Sequence, residues 1–165
     1  MKVVASGGAA WRPQEDYYGN IYDHLSSDFV YPNGVHYSSY CRQYPKGKCF
    51  TKIQDLVVGT KGKSNCLDRS SSKGEMNVWA RKAYVQEHIE MIKSIRGERP
   101  YVNQGMMVAE STLTGIMARE SAYSGQEIAW DQIMNSKQDL MPKALDLKQQ
   151  MDIPPRPVPG VYKFV

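Results

Sequence analysis

The sequence has 165 residues, a length that suits one domain with its own core, and its 21 basic and 17 acidic residues give a formal net charge of +4. The basic residues are scattered, with no basic helix and no aromatic ladder beside them, so we expect no nucleic-acid binding. No window approaches the roughly 18 apolar residues of a membrane span, and the N-terminus lacks the apolar core of an export signal, so we expect a soluble, cytoplasmic protein with no membrane contact.

The N-terminal half of the chain predicts β-strands. The clearest unit is a hairpin in which residues 20–31 and 35–44 flank Tyr-Pro-Asn-Gly. Pro32 suits the first central position of a type I turn, and Gly34 suits the left-handed position that follows, so we predict a three-residue loop. Further strands are predicted at residues 3–5, 49–59 and 75–79.

The three-residue loop predicts the register of this hairpin. The pairs on one face, which is mostly apolar, are Tyr31 with Val35, Phe29 with Tyr37, Ser27 with Ser39 and Leu25 with Cys41. The pairs on the other face, which is mostly polar, are Val30 with His36, Asp28 with Ser38, Ser26 with Tyr40 and His24 with Arg42. A two-residue loop would mix the two sets, so the three-residue loop is preferred.

From Tyr84 the apolar residues change to helical spacing. A first helix is predicted to end at Gly97, with one stripe formed by Val85, His88, Ile89, Ile92 and Ile95. Asn103 is predicted to cap a second, longer helix that ends at Gly125, with a buried stripe formed by Met106, Ala109, Leu113, Ile116 and Met117. Met107 is also expected in the core.

The C-terminal residues predict a short strand at 126–130 and a short helix from a cap at Asp131 through Asn135. Four prolines within residues 153–160 favour an extended, polyproline-like segment. Strands followed by helices predict an α+β fold with a mostly antiparallel sheet. We expect one domain over residues 1–165, with residues 151–165 as its extended tail.

Residues 57–66, VVGTKGKSNC, resemble the start of a phosphate-binding loop. That loop needs glycine five positions before Gly62, where this sequence has Val57, and a β-branched residue does not readily adopt a positive φ. A strand that ends in a lysine-rich turn at Gly59 and Gly62 is therefore the preferred interpretation. Cys41, Cys49 and Cys66 are odd in number and lack zinc-ligand spacing, so neither a disulfide framework nor a metal site is predicted.

The polar face of the hairpin is the main candidate for a binding site. It would place the charged groups of His24 and Arg42 beside hydroxyls and an aromatic ring, which together suit a polyhydroxylated ligand. The alternative is a sheet face that simply meets water. His88 is either a core histidine or a group that points into a cleft between helix and sheet.

Seven motifs, in this order, carry a family resemblance: YGNIYDH (18–24), YPNGV (31–35), CRQ (41–43), VGTKG (58–62), YVQEHI (84–89), AESTLTGIMARESAYSGQ (109–126) and VPG (158–160). Together they cover nearly the whole chain and resemble the C-terminal domain of the Gfo/Idh/MocA oxidoreductases, the family of glucose-fructose oxidoreductase and inositol dehydrogenase. The resemblance implies an open sheet backed by helices, with one side near a sugar site and the other in an oligomer interface. It implies substrate contacts from His24, Arg42, Tyr84 and His88.

Members of that family carry an N-terminal Rossmann domain that binds NAD or NADP, a lysine in a Glu-Lys-Pro motif, and an Asp and a His on the helix that opens the second domain. None of these features appears in this sequence, which resembles an excised or naturally truncated half. We therefore expect no catalytic residue, no metal and no cofactor bound by this chain alone, and a separate Rossmann-domain partner for hydride transfer.

Two functions stay open at this point. The first is the substrate-binding and oligomerisation domain of an NAD(P)-dependent sugar or cyclitol oxidoreductase, which is not catalytic alone. The alternative is a standalone carbohydrate-binding or scaffolding protein derived from that domain. A sheet with one bare face also predicts a homo-oligomer, because large apolar patches rarely stay exposed.

Overall fold

The computed structural model of the chain describes residues 1–64, 83–142, 146, 148 and 152–165. In chain order its elements are β1 (Lys2–Gly8), β2 (His24–Val30), β3 (His36–Arg42), β4 (Val57–Gly59), β5 (Gly62–Ser64), α1 (Ala83–Ile95), α2 (Gly105–Ser124), β6 (Ile128–Ala129) and α3 (Trp130–Met134). They confirm the predicted α+β class with an open, mostly antiparallel sheet. The strand predicted at 75–79 and Cys66 lie outside the described residues.

The chain divides into two compact units. The first contains Met1–Pro45 and Met106–Val165, and the second contains Lys46–Gly105. The first unit holds a four-stranded sheet in the order β3-β2-β1-β6, and the second holds the two-stranded sheet β4-β5 and helix α1.

The predicted hairpin is confirmed in its register. β2 and β3 pair with Phe29 opposite Tyr37 and His24 opposite Arg42, as the three-residue loop requires. Gly34 adopts a φ of 75°, the left-handed region that favours glycine, and the Tyr31 N–H donates to the Val35 carbonyl at 2.9 Å. Both strands are shorter than predicted.

The strand predicted at residues 3–5 is longer than predicted, and it lies inside the four-stranded sheet, between β2 and β6. β1 pairs antiparallel with β2 along its whole length and with the two residues of β6 on its other side. Because β6 is so short, the Ala5 N–H lies beyond its end and donates instead to the Ser121 hydroxyl of α2 at 2.9 Å. A buried backbone donor thereby keeps a partner, and α2 is anchored under the sheet.

The core of the first unit lies between one sheet face and the C-terminal half of α2. Val3, Ala5 and Phe29 project from the strands, and Met117 and Ala122 from the helix, and all of them are buried. Burying apolar surface of this kind is the main stabilising contribution to folding. The core therefore defines a covered face of the sheet and leaves its opposite face open.

The buried stripe of α2 was predicted only in part. Met117 is buried and Leu113 is half-buried, but Met106, Met107 and Ala109 are exposed, so their assignment to the core is wrong. Their spacing is helical, but only the C-terminal half of α2 packs against the sheet.

The predicted ends of α2 are confirmed. The Asn103 side chain accepts a hydrogen bond from the Gly105 N–H at 3.0 Å, and Gly125 ends the helix with a φ of 72°. The predicted cap of α3 is wrong, because Asp131 is already inside the helix. The Gln132 side chain instead accepts the Ala129 N–H at 2.7 Å.

The proline-rich segment at residues 152–158 contains no helix or strand. Its prolines lack N–H groups, and its carbonyls accept hydrogen bonds from side chains of residues 14–22. The Tyr22 hydroxyl donates to the Pro157 carbonyl at 2.8 Å, and the Gln14 side chain donates to the Pro154 carbonyl at 3.3 Å. These contacts hold the segment along the loop between β1 and β2.

In the second unit, only residues 57–59 of the strand predicted at 49–59 are a strand, so most of that prediction is wrong. The turn at Gly59 and Gly62 is confirmed. Helix α1 has the predicted extent, and Gly97 follows it with a φ of 73°. Its stripe is largely uncovered, with Val85, Ile92 and Ile95 exposed.

Candidate functional site

The open face of the four-stranded sheet consists of four rows that cross β1, β2 and β3. The rows are Lys2 with Val30 and His36, Val4 with Asp28 and Ser38, Ser6 with Ser26 and Tyr40, and Gly8 with His24 and Arg42. Small hydroxyl residues occupy the middle of this face, and the two candidate residues His24 and Arg42 are cross-strand neighbours at one end. The following paragraphs use the name His24 row for Gly8, His24 and Arg42.

Asp23 lies directly behind the His24 row, at a position where the backbone continues the sheet. Its N–H donates to the Gly8 carbonyl and its carbonyl accepts from the Gln43 N–H, each at 2.8 Å. Its side chain is fully buried. The backbone N–H groups of three consecutive residues donate to Asp23 Oδ2, from Ala10 at 2.8 Å, Trp11 at 3.0 Å and Arg12 at 3.2 Å.

His24 completes the set of donors around this carboxylate. Its Nδ1 lies 2.8 Å from Asp23 Oδ1. Burial by itself would raise the pKa of Asp23. The hydrogen bonds from His24 and from the backbone of Trp11, Ala10 and Arg12 lower the pKa by more than burial raises it, so the pKa of Asp23 lies well below its ordinary value. Asp23 is therefore a carboxylate.

The charge of Asp23 determines how the His24 ring is protonated. A carboxylate can only accept a hydrogen bond, so the proton of the ring resides on Nδ1, and Nε2 is the nitrogen left for other partners. The side chain of His24 is 33% exposed. In this orientation Nε2 is the ring nitrogen that can form a hydrogen bond with a ligand hydroxyl.

Aromatic and cationic groups surround the His24 row. The rings of His24 and Tyr44 lie 6.0 Å apart, and the Arg42 guanidinium lies 5.6 Å from the Tyr44 ring. The Trp11 indole N–H donates to the Gln43 carbonyl at 2.7 Å, which fastens the β1–β2 loop beside the end of β3. An aromatic face next to hydrogen-bonding groups is the combination that sites for ring-shaped polar ligands use.

The polar residues farther along the open face have other partners. The Asp28 carboxylate lies 2.8 Å from His36 Nδ1 and accepts from the Ser38 hydroxyl at 3.4 Å. This second aspartate–histidine pair is largely exposed, with side-chain exposures of 46% and 58%. Its carboxylate is neither buried nor held by backbone donors, unlike that of Asp23. The Asp28–His36 pair therefore serves as an internal comparison for the Asp23–His24 pair.

The other two candidate residues belong to the second unit, on adjacent turns of α1. His88 Nδ1 donates to the Tyr84 carbonyl at 2.6 Å, and both side chains are exposed. The interpretation of His88 as a core histidine is wrong, because its side chain is 65% exposed. Cys41 and Cys49 are also exposed.

A cavity of about 820 Å³ lies in the second unit beside α1, and nothing in the sequence patterns predicted it. Met91, Ile95 and Tyr101 contribute apolar surface to its lining. At its polar end Glu90 forms an ion pair with Arg99 and accepts from the Gln86 side chain at 2.5 Å. Glu90 therefore has two partners, whereas Gln86 Oε1 is buried with no hydrogen-bond partner among the described residues.

Several residues around His24 were missed by the sequence analysis, chiefly Asp23, Trp11, Arg12 and Tyr44. Asp23 lies within the motif YGNIYDH, and its donors come from a loop more than ten residues earlier in the chain. No local pattern signals this contact, because Gly7 and Gly8 belong to β1 and only the residues after them form the loop that donates to Asp23.

The structure of residues 57–64 excludes a phosphate-binding loop there. Lys63 and Ser64 lie on strand β5, whereas the motif requires a helix to begin there. These residues do not fit the phosphates of NAD or NADP. Within the part of the chain that the structure describes, no group of three or more His, Cys, Asp and Glu side chains could hold a metal ion.

No described helix has both the length and the apolar character needed to cross a bilayer. No protein-family model, curated protein or solved structure matches this chain.

Proposed function

We propose that this chain is the substrate-binding and oligomerisation domain of an NAD(P)-dependent sugar or cyclitol oxidoreductase and is not catalytic alone. The observation that carries the proposal is the buried Asp23 carboxylate that orients His24 at one end of the open sheet face. The seven motifs that resemble the C-terminal domain of the Gfo/Idh/MocA family support it from the sequence. The cofactor supplies the hydride chemistry and is assigned to a separate Rossmann-domain partner.

The residues of the His24 row have distinct roles in this proposal. His24 Nε2 accepts a hydrogen bond from one hydroxyl of the ligand, while Asp23 maintains the ring orientation. Arg42 donates to hydroxyl oxygens, and the Tyr44 ring packs against the apolar side of the ligand ring. Each group thus recognises a different part of a sugar or cyclitol.

The proposal also includes a homo-oligomer formed through the open face, away from the His24 row. Val4 lies two rows from His24 and is 56% exposed, and Val30 and His36 occupy the row beyond it. Helix α2 covers the other face, so the open face is the one that a second copy would meet, and Val4 is its exposed apolar residue on β1. The His24 row would then stay accessible at the end of the interface.

The test combines a binding assay with an activity assay. The chain is titrated calorimetrically with a panel of sugars and cyclitols, and hits are assayed with NAD or NADP, with and without the Rossmann domain of a family member fused to its N-terminus. We expect binding in the low-millimolar range or tighter, which corresponds to at least about 4 kcal/mol, and turnover only with the added domain.

The two histidines of the open face provide a matched control. His24→Ala is expected to weaken ligand binding at least tenfold, whereas His36→Ala, which removes the exposed histidine of the other aspartate–histidine pair, leaves it unchanged. Binding without turnover in the fused protein would favour the alternative, a standalone carbohydrate-binding or scaffolding protein. A folded chain that binds no member of the panel would contradict the proposed function and the carbohydrate-binding form of the alternative.

A further inference from the structure

Strand β1 ends in two consecutive glycines that lie on opposite faces of the sheet. Gly7 is on the covered face, and a Cβ atom there would collide with the His24 carbonyl oxygen and come within 2.8 Å of Leu25 Cδ2. Close approach of neighbouring atoms therefore explains the glycine at position 7. Gly8 is on the open face, in the His24 row, where this explanation does not hold.

Neither the backbone nor the packing requires glycine at position 8. Gly8 is not among the glycines with a positive φ, so its backbone conformation suits any residue. A Cβ atom on Gly8 would lie 3.5 Å from His24 Cε1 and 3.9 Å from His24 Nε2, which are ordinary van der Waals distances. Alanine would therefore fit, although glycine loses more conformational freedom on folding. A strand glycine of this kind is typical of a place where a ligand approaches the backbone closely.

The space above Gly8 adjoins the ring nitrogen that faces the ligand in the proposed function. Nδ1 of His24 is taken by Asp23, and the Cε1–Nε2 edge of the ring borders this space. Among the described residues outside the immediate chain neighbours of Gly8, only these two ring atoms lie within 4 Å of the Cβ position. A ligand atom at that position would therefore touch the Gly8 backbone and lie beside Nε2 at the same time.

The surface that Gly8 offers to a ligand is apolar. Peptide groups of a strand lie in the plane of the sheet, and the Gly8 carbonyl accepts from the Asp23 N–H at 2.8 Å. The group that projects to the open face is the Cα with its hydrogens. A polar group pressed against it would lose water without gaining a partner from Gly8, whereas a C–H group would not.

We infer that Gly8 determines the shape of the ligand by admitting a ring that lies flat on the sheet. One C–H face of the ring covers the Gly8 Cα, and a hydroxyl at the ring edge forms a hydrogen bond with His24 Nε2. The inference rests on the proposed function, because it assigns a shape to the ligand proposed there. The substrate class narrows to sugars and cyclitols with at least one face free of axial hydroxyls.

The first test compares isomers that differ only in the direction of their hydroxyls. In scyllo-inositol and methyl β-D-glucopyranoside every ring substituent is equatorial, whereas chiro-inositol and methyl β-D-gulopyranoside each carry an axial hydroxyl on both faces. Calorimetric titration of the full chain should show that the all-equatorial member of at least one pair binds at least tenfold more tightly than its isomer. Equal binding within every pair that binds would contradict the flat orientation.

Substitutions at Gly8 test its steric role with the probe that binds best. Gly8→Ala places a methyl group beside Nε2 and should weaken binding about tenfold, and Gly8→Val should weaken it further. The melting temperature of Gly8→Ala should equal or exceed that of the wild type, because neither backbone nor packing requires glycine. A lower melting temperature would show a structural need for glycine and overturn the inference.

A glycine of α2 provides the matched control. Gly115→Ala adds the same methyl group at a position with no atom within 4 Å among the described residues, so it should leave the affinity within about twofold. Gly7→Ala should lower the melting temperature, because its Cβ has no room on the covered face.

The outcomes separate this inference from the proposed function. If His24→Ala weakens binding while Gly8→Ala and Gly8→Val do not, the inference is overturned and the proposed function stands. If the folded wild-type chain binds no sugar or cyclitol, the proposed function is contradicted and the inference falls with it.

Discussion

The Nδ1 atom of His24 lies 2.8 Å from the buried carboxylate of Asp23, and this contact directs Nε2 of the same ring away from the protein's own acceptor. Backbone N–H groups of Ala10, Trp11 and Arg12 hold the carboxylate from its other side. The Asp23 side chain therefore joins the β1–β2 loop to the sheet. It also determines which ring nitrogen of His24, the candidate ligand contact, faces away from the carboxylate. Under the proposed function, Asp23 would couple the stability of this end of the sheet to ligand binding by His24.

Replacement of Asp23 is expected to destabilise the protein strongly. Asp23→Ala leaves a ring nitrogen and three backbone N–H groups without their acceptor, so we expect the free energy of unfolding to fall by about 3–5 kcal/mol. Urea unfolding at neutral pH measures the change. Asp16→Ala removes an exposed carboxylate from the same loop and is expected to change stability by no more than about 0.5 kcal/mol. A similar loss in both variants would contradict the role assigned to Asp23.

Asp23 also predicts how stability depends on pH. Its folded pKa lies below its ordinary value, because the hydrogen bonds outweigh the effect of burial. A depressed carboxylate pKa contributes stability that is fully present above the unfolded pKa, about 3.9, and is lost as pH falls through the folded pKa. The difference in unfolding free energy between wild type and Asp23→Asn should therefore be largest above about pH 5 and shrink below about pH 4. A difference that stays constant in urea unfolding across that range would count against this prediction.

Tyr162 and Glu120 form a second buried polar contact, which ties the C-terminal residues to α2. The Tyr162 hydroxyl donates to Glu120 Oε2 at 2.7 Å, and Glu120 is 1% exposed. Burial, followed by the hydrogen bond and the charge of Glu120, raises the pKa of Tyr162 to about 12. We expect Tyr162→Phe to cost about 1.5–3 kcal/mol, because the buried carboxylate loses a donor.

The pH dependence of that cost follows from the raised pKa. A tyrosine whose folded pKa exceeds its unfolded value stabilises the protein fully below about pH 10 and loses this contribution as pH rises through about 12. Ultraviolet titration should show that Tyr162→Phe removes the tyrosine that ionises last. Tyr17→Phe, at an 86% exposed residue, is the control and should leave the end of the titration curve unchanged. Loss of the same late step in both variants would refute the assignment.

Association through the open sheet face predicts a concentration-dependent oligomer. Light scattering at micromolar concentration should give a dimer or a larger assembly for the wild type and a monomer for Val4→Lys, which places a charge on the proposed interface. Val35→Lys, at the hairpin turn outside the strands, introduces the same charge at a similarly exposed valine and should keep the oligomer. A monomeric wild type would refute this part of the proposal.

Features that depend on local chemistry could be predicted from the sequence. Tyr-Pro-Asn-Gly determines its turn through the φ preferences of Pro32 and Gly34, and alternation then sets every pair between β2 and β3. The cap at Asn103 and the end at Gly125 depend on backbone groups within a few residues. The predicted hairpin therefore brought His24 and Arg42 together correctly.

Features that depend on distant contacts could not be predicted in this way. Helical spacing shows that Met106 and Met117 can share one side of α2, but it does not show that the sheet covers only Met117. The role of Asp23 depends on a loop that folds back from β1, and the hydrogen bond from Arg156 to the Arg12 carbonyl joins residues at opposite ends of the chain. Neither contact has a periodic signal.

The most direct test of the account follows the ring nitrogens of the two open-face histidines by ¹⁵N NMR while sugars and cyclitols are added. Before addition, His24 should be protonated at Nδ1, the nitrogen that faces Asp23. We expect a bound ligand to shift the Nε2 signal of His24 and to leave the signals of His36 unchanged. A ligand that binds the folded chain while both Nε2 signals stay fixed would contradict the central claim that His24 contacts the substrate.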